Sequence, residues 1–490
     1  MPYVVLTKYD TEEKEKLVTK RKKSVKPIDT KLRKSPTPVS EMVNQRISPS
    51  VERESNVSAV SRSFYDSESD DNNPQFELNH KNITYHEENQ FGGTLGNFIL
   101  SMSLPILIVL AQIGLKAKGN LIPFPQGYLR LTNYYDQNVF IWSAAIVFIQ
   151  LLISVVPLAK KTQGLQNIMN GLQYYRFSGI INLIIGVLIV AVMDYYKCPI
   201  NFIIEIVTKK TVPYIVASVL YALLISIVLY LKTKFSNKVD ECNSLNIVQK
   251  LFIGTTINPT LGPINIKLAL YRYSALMTIL YNSLIIMDNL KHPNNIYLNY
   301  VAGCQILFSV DKLAFENNLL SSFYLQNEKV GYWTILQQFV QPAIHILPIQ
   351  ILISNKLPVN YYILTISGIT FLFGLICQRY SNLIKYHFVL KTNAHLSTGG
   401  IEVVRRGLWS YIRYPQYLGV IVLHLALILP IIEPNVASLK SSWPILFYPL
   451  YYIVTLSHRS TRISNYCRLK YGYSWDYKCI AKWNILPNIF

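Results

Sequence analysis

The chain has 490 residues, 51% of them hydrophobic and only 15% charged, which excludes an ordinary soluble globular protein and indicates a membrane body. Its 47 Lys and Arg against 27 Asp and Glu leave a net charge of +20, an excess suited to anionic headgroups or nucleic acid and able to set membrane topology. Cys198, Cys242, Cys304, Cys377, Cys467 and Cys479 are scattered without a CxxC, so neither a disulfide framework nor a metal site is expected. No short apolar run with a cleavage site opens the chain, so no secretory signal is read there.

Residues 1–90 are poor in apolar side chains and rich in Lys, Glu, Ser, Asn and Pro. Such a stretch cannot bury enough surface to offset its chain entropy, and a disordered head is predicted. The cluster Lys20, Arg21, Lys22 and Lys23, continued by Arg33 and Lys34, matches a nuclear-import or nucleic-acid patch, or a positive anchor ahead of the first span. Ser35, Thr37 and Ser48 each precede a proline. Phosphorylation there would add about −2 charge per site and weaken a polyanion contact. Asn56 and Asn82 open glycosylation-type triplets, which a cytoplasmic or nucleoplasmic head does not present to the glycosylating enzyme.

Apolar runs follow at 95–115, 139–158, 180–193, 212–231, 268–286, 296–315, 335–353, 361–377, 417–432 and 445–456. Backbone groups in hydrocarbon must be satisfied within their own segment, so these runs predict an all-α bundle of about ten transmembrane helices. The basic head, Lys160, Lys161 and the 379–413 stretch between spans mark the cytoplasmic or nucleoplasmic side; Lys116, Lys118 and Arg130 in the first loop dilute that rule. Asp311 and Glu316 flank Lys312 in an apolar stretch, either as a buried functional group or as the watery end of the sixth span. His345 and His424 stand singly in apolar runs and are read as satisfied core residues.

Several short motifs recur in a fixed order: Phe91-Gly-Gly-Thr-Leu-Gly96, Val156-Pro157 to Lys160 with Gly164, Gly254 to Asn258-Pro259, and Asp311 to Glu316. GLWSYIRYPQYLG at 407–419 comes next, then His458-Arg459, Cys467, Tyr471-Gly472 and Trp475. In order and type this series resembles the sterol reductase family, over nearly everything from residue 90 onward. The resemblance implies a multi-spanning domain at 91–490, with a cofactor-type region over about 374–490, that takes NADPH from the cytoplasmic side and reduces a sterol double bond. Joined to a basic Ser/Pro-containing head, it further implies the inner-nuclear-membrane branch of that family, whose head contacts lamin and chromatin. The 1–90 head has too little strand alternation to build a small folded β module.

Matched to the family's N-x-Q-K-x-x-F-R run, Asn382, Lys385 and Phe388 are retained, while Ile384 and Val389 depart. In GWW-x-x-x-RHPNYxGD, Gly407, Trp409, Arg413, Pro415, Tyr417 and Gly419 match; Tyr414, Gln416 and Val420 do not. In HREARDEYHC, His458, Arg459, Arg462 and Cys467 survive and all three acids are lost. Acids expected near Asn265 and at Tyr271 and Tyr324 are also missing. Cofactor contact, where retained, falls by this resemblance to Arg379, Asn382, Lys385, Trp409 and Arg413, with Tyr417, His458, Arg462 and Tyr471. Cations there would meet phosphates and aromatic planes the rings; the same cations are equally expected as headgroup anchors. The lost carboxylates leave no assignable catalytic residue and predict a degenerate body. It would anchor a lamin- and chromatin-binding head in the inner nuclear membrane, continuous with the endoplasmic reticulum, without a metal. The alternative is an active NADPH-dependent sterol C14-reductase of the endoplasmic reticulum.

Overall fold

In a computed structural model the described residues are 90–122, 124–156, 159–164, 173–197, 201–235, 245–291, 295–354, 357–393, 404–432, 443–471, 475, 481 and 483–485. The head positions from Lys20 to Ser48 lie outside them. Each apolar run coincides with a helix: α1 (Gly93–Lys116), α2 (Gln137–Val155), α3 (Gly179–Tyr195), then a short α4 (Asn201–Thr208) and α5 (Thr211–Phe235). After a short α6 (Ile247–Ile253) come α7 (Ile266–Lys291), α8 (Ile296–Ala314), α9 (Tyr332–Ser354), α10 (Tyr361–Asn393), α11 (Pro415–Ile428) and α12 (Phe447–Tyr471). The short helices have local causes. α4 buries Ile203, Ile206 and Val207 on one face. α6 starts at a reciprocal cap in which Asn246 and Gln249 satisfy each other's end of the chain.

By length and composition, five helices can cross a membrane, Gly93–Lys116, Leu131–Val155, Thr211–Phe235, Tyr332–Ser354 and Tyr361–Lys391; α3 and α11 are shorter and equally apolar. Their outer faces are lipid-like: Leu95, Phe98 and Met102 on α1 and Ile369, Phe373 and Ile376 on α10 are all exposed. α9 is the opposite case. It is buried along most of its length, packs on α1, α5, α7, α8 and α12, and stays helical through Pro342 and Pro348. Surrounding helices can satisfy the backbone groups those prolines free.

Among the described residues sheet is confined to two antiparallel pairs, β1 (Lys161–Gln163) with β2 (Tyr174–Arg176) and β3 (Thr260–Leu261) with β4 (Ile264–Asn265). Asn258 of the Asn-Pro motif ties them to the bundle, its amide donating to the Tyr175 hydroxyl at 2.8 Å and the Leu325 carbonyl at 3.2 Å.

Two features place the site. α10 does not stop at Cys377: the basic stretch after it, expected to belong to a loop region, is helical to Asn393. α10 and α11 also approach closely at Gly374 and Gly419. A Cβ on Gly419 would lie 2.6 Å from the Gln378 nitrogen, and one on Gly374 would lie 2.7 Å from the Leu423 nitrogen. Only glycine permits that contact, which explains the terminal Gly of the 407–419 motif.

Candidate functional site

A cavity of about 250 Å³ lies among α7, α8, α9, α10, α11, α12 and the turn that includes Tyr324. Each helix contributes one face. α10 supplies Arg379, Asn382 and Lys385, α11 supplies Tyr417 and Val420, and α12 supplies Tyr452, Leu456 and Arg459, spacings of three and four that align side chains on a helix. Four of the sequence-predicted positions, Arg379, Asn382, Lys385 and Tyr417, therefore share one chamber. The extension of α10 is what brings the first three together.

The other predicted residues do different work. Trp409 is buried behind the chamber, its indole donating to the Ser381 carbonyl at 3.1 Å with the Lys385 ammonium 5.9 Å from its ring. Arg413 faces away and holds the final segment, donating from Nε to the Ala481 carbonyl at 2.7 Å. His458 and Arg462 pack on Phe91, at 4.8 Å between rings and 4.7 Å from guanidinium to ring. Phe91 reaches them from a left-handed backbone, φ 58°. Burial, then Arg462 and Arg459, push the His458 imidazole down to about 4, so it stacks as a neutral ring. Tyr471 ends α12, and its side chain is outside the described residues.

The strongest electrostatic feature was not legible beforehand. Glu328, 5% exposed, accepts both Arg459 donors at 2.9 and 2.8 Å, with Arg462 at 3.5 Å. Lys267, fully buried, donates to the Tyr324 carbonyl at 2.7 Å and to the Glu328 carbonyl. Burial opposes the Glu328 charge, but Arg459, Arg462 and Lys267 together hold its carboxyl below the usual glutamate value. Nothing in the local pattern marks Glu328, because its partner Arg459 is 131 residues away.

Asp311 and Glu316 separate. Asp311 lines the cavity and takes the Arg379 guanidinium as an ion pair. Glu316 neither lines it nor reaches water. It is 2% exposed, pairs with Arg272 at 2.7 Å and accepts the Gly179 amide at 2.8 Å, so it staples α3 to α7. Burial outweighs these partners and leaves its carboxyl above the usual range. Tyr271 and Tyr324, at positions where acids were expected, both line the cavity with rings 6.4 Å apart. Their hydroxyls donate to the carbonyls of Lys312 at 3.3 Å and Lys267 at 3.1 Å. The two histidines read as solitary are in fact neighbours, with ring centroids 5.7 Å apart.

Residues 86–490 match the model of the ergosterol biosynthesis ERG4/ERG24 family. The chain is similar to Delta(14)-sterol reductase LBR of Gallus gallus, 24% identical over 413 residues that cover 80% of this chain and 63% of the relative. It is similar to the Lamin-B receptor of Drosophila melanogaster, 24% identical over 452 residues, covering 82% of this chain and 59% of the relative. It is also similar to Delta(14)-sterol reductase TM7SF2 of Mus musculus, 24% identical over 426 residues, covering 82% and 97%. The chain thus spans less than two thirds of the length of the first two.

Proposed function

Because the chain belongs to the ergosterol biosynthesis ERG4/ERG24 family, we propose that it is a lamin B receptor-like protein of the inner nuclear membrane, a sterol-reductase bundle without turnover that anchors lamin and chromatin through its basic head. The division is 1–90 for the nucleoplasmic head and 91–490 for the membrane body. Reduction of a sterol alkene needs a hydride and a proton, NADPH being the hydride source the family uses. One observation carries the reading: among the described residues Asp311 is the sole carboxylate lining the cavity, and Arg379 already holds it. The phenols that stand in for the missing acids, Tyr271 and Tyr324, give their protons to backbone carbonyls. General acid catalysis requires a donor within reach of the reacting carbon, and these are committed elsewhere.

Three of the four cations that line the cavity, Arg379, Arg459 and Lys312, fit a dinucleotide phosphate poorly. Arg379 is matched by Asp311 and Arg459 by Glu328, while Lys312 packs over the Tyr271 ring at 4.8 Å. A phosphate would have to displace a carboxylate at each arginine. The test is expression of the full chain with a tag, together with complementation of a yeast strain lacking sterol C14 reduction. Nuclear-rim localisation without growth rescue is the expected result.

A second reading, an NADPH-dependent C14-reductase of the endoplasmic reticulum, is favoured by the convergence of Asn382, Lys385 and Tyr417 on one cavity. Growth rescue that disappears with Lys385→Ala or Arg462→Ala would establish it and overturn the first.

A further inference from the structure

A second cavity, of about 410 Å³, is lined by Lys116, Tyr128, Thr132, Asp136, Lys209 and Lys210 among others. It is built where three apolar helices have their ends: α1 closes on Lys116, α2 opens after its cap Asp136, and α5 opens at Thr211. Two single-turn helices, Gln126–Leu129 and Leu131–Asn133, form one side of it. Residues 1–90 precede α1, so one crossing puts this cavity on the membrane face away from the head.

Charge in the cavity is unbalanced. Lys210 is matched by Asp136 at 3.0 Å and Glu205 at 3.6 Å, and Asp136 also accepts the Val139 amide at 3.1 Å. Lys116 donates once, to the Lys209 carbonyl at 2.7 Å. Neither Lys116 nor Lys209 has a carboxylate partner among the described residues. An ammonium group carries three donors, so most of what these two lysines can offer is unused.

The rim is apolar. Leu129 and Leu131, next in sequence to the lining residues Tyr128 and Thr132, are 71% and 84% exposed, and Ile122 is 94% exposed. Aliphatic side chains so bare, at the ends of spanning helices and beside tyrosines, belong at the depth where headgroups give way to acyl chains.

We infer that this cavity seats the anionic headgroup of a phospholipid from the leaflet away from the head. Lys116 and Lys209 give charge-assisted hydrogen bonds to its phosphate, and its acyl chains leave across Ile122, Leu129 and Leu131. Three lysines (116, 209 and 210) against two carboxylates (Asp136 and Glu205) leave a local charge of +1. One phosphodiester cancels that charge. A zwitterionic headgroup brings its own cation to the lysines and gains little. Free phosphate shares the chemistry but makes no use of the apolar rim, and the experiment separates the two sources.

The test is a thermal-shift titration of the purified full-length protein with dioctanoyl-phosphatidylglycerol, dioctanoyl-phosphatidylcholine and inorganic phosphate. Phosphatidylglycerol should bind at least about tenfold more tightly than phosphatidylcholine, since each lysine near a headgroup is worth about fivefold. Inorganic phosphate at the same concentration should not stabilise the protein. Lys116→Gln and Lys209→Gln should each weaken phosphatidylglycerol about fivefold and leave phosphatidylcholine unchanged. The Lys209 side chain makes no ion pair or hydrogen bond among the described residues, so its variant reports even where Lys116→Gln does not fold. Lys234→Gln, at an exposed lysine on the other end of α5, should change neither lipid. Parity of the two lipids, equal binding of inorganic phosphate, a preference untouched by Lys209→Gln, or an equal loss with Lys234→Gln would each overturn the lipid seat.

Discussion

Arg459 and Arg462 lie one turn apart on α12 and share Glu328 with the buried Lys267 region. Removing the carboxylate while keeping its shape, Glu328→Gln, strands these cations and should cost about 3–5 kcal/mol, read as a lower melting temperature in detergent. The pH dependence follows from the direction of the shift. A carboxyl held below its unfolded value stabilises fully above that value, about 4.3, and loses the contribution as pH falls through its folded value. The gap in melting temperature between wild type and Glu328→Gln should therefore be widest near neutrality and close below about pH 4. The motif positions on α10 and α11 were legible because their spacing survives in the chain. Glu328 and the His345–His424 pairing were not, since each is a contact between distant segments with no local periodicity.

At the scale of elements, the long apolar runs were readable because hydrocarbon imposes a minimum length on whatever crosses it. The same logic hid the rest of α10. Hydropathy registers where a helix leaves lipid, and 379–393 is polar enough to pass for a loop while its backbone stays helical. The α10–α11 seam is the element that aims the chamber. Gly419→Ala places a methyl against the Gln378 backbone, which no side-chain rotation relieves. We expect a destabilisation of about 1–3 kcal/mol, seen in thermal unfolding, with weaker binding of any ligand that needs both helices.

For the molecule as a whole, charge is divided between its ends. Of the cations that diluted the topology rule, Lys116 donates to the Lys209 carbonyl at 2.7 Å, and the neighbouring Lys210 meets Asp136 at 3.0 Å and Glu205 at 3.6 Å. Over 20–34 the head carries eight Lys and Arg against one acid, Asp29. Tags at the two termini should both be cleaved by protease added to sealed microsomes, whose cytoplasmic face is outward, as about ten crossings with a cytoplasmic head require. Binding of the full-length protein to DNA should weaken with salt. Replacing Lys20, Arg21, Lys22 and Lys23 by alanine should flatten that slope by roughly 0.9 for each phosphate the head no longer neutralises.

α10 is 33 residues long. At 1.5 Å per residue it measures about 50 Å, against a hydrocarbon layer about 30 Å thick. Arg379, Asn382 and Lys385 are thus mounted on a stiff mast whose lower part is gripped by acyl chains. A thicker or thinner bilayer is met by tilting that mast. Lipid composition then re-aims all three side chains in concert and leaves their mutual spacing untouched.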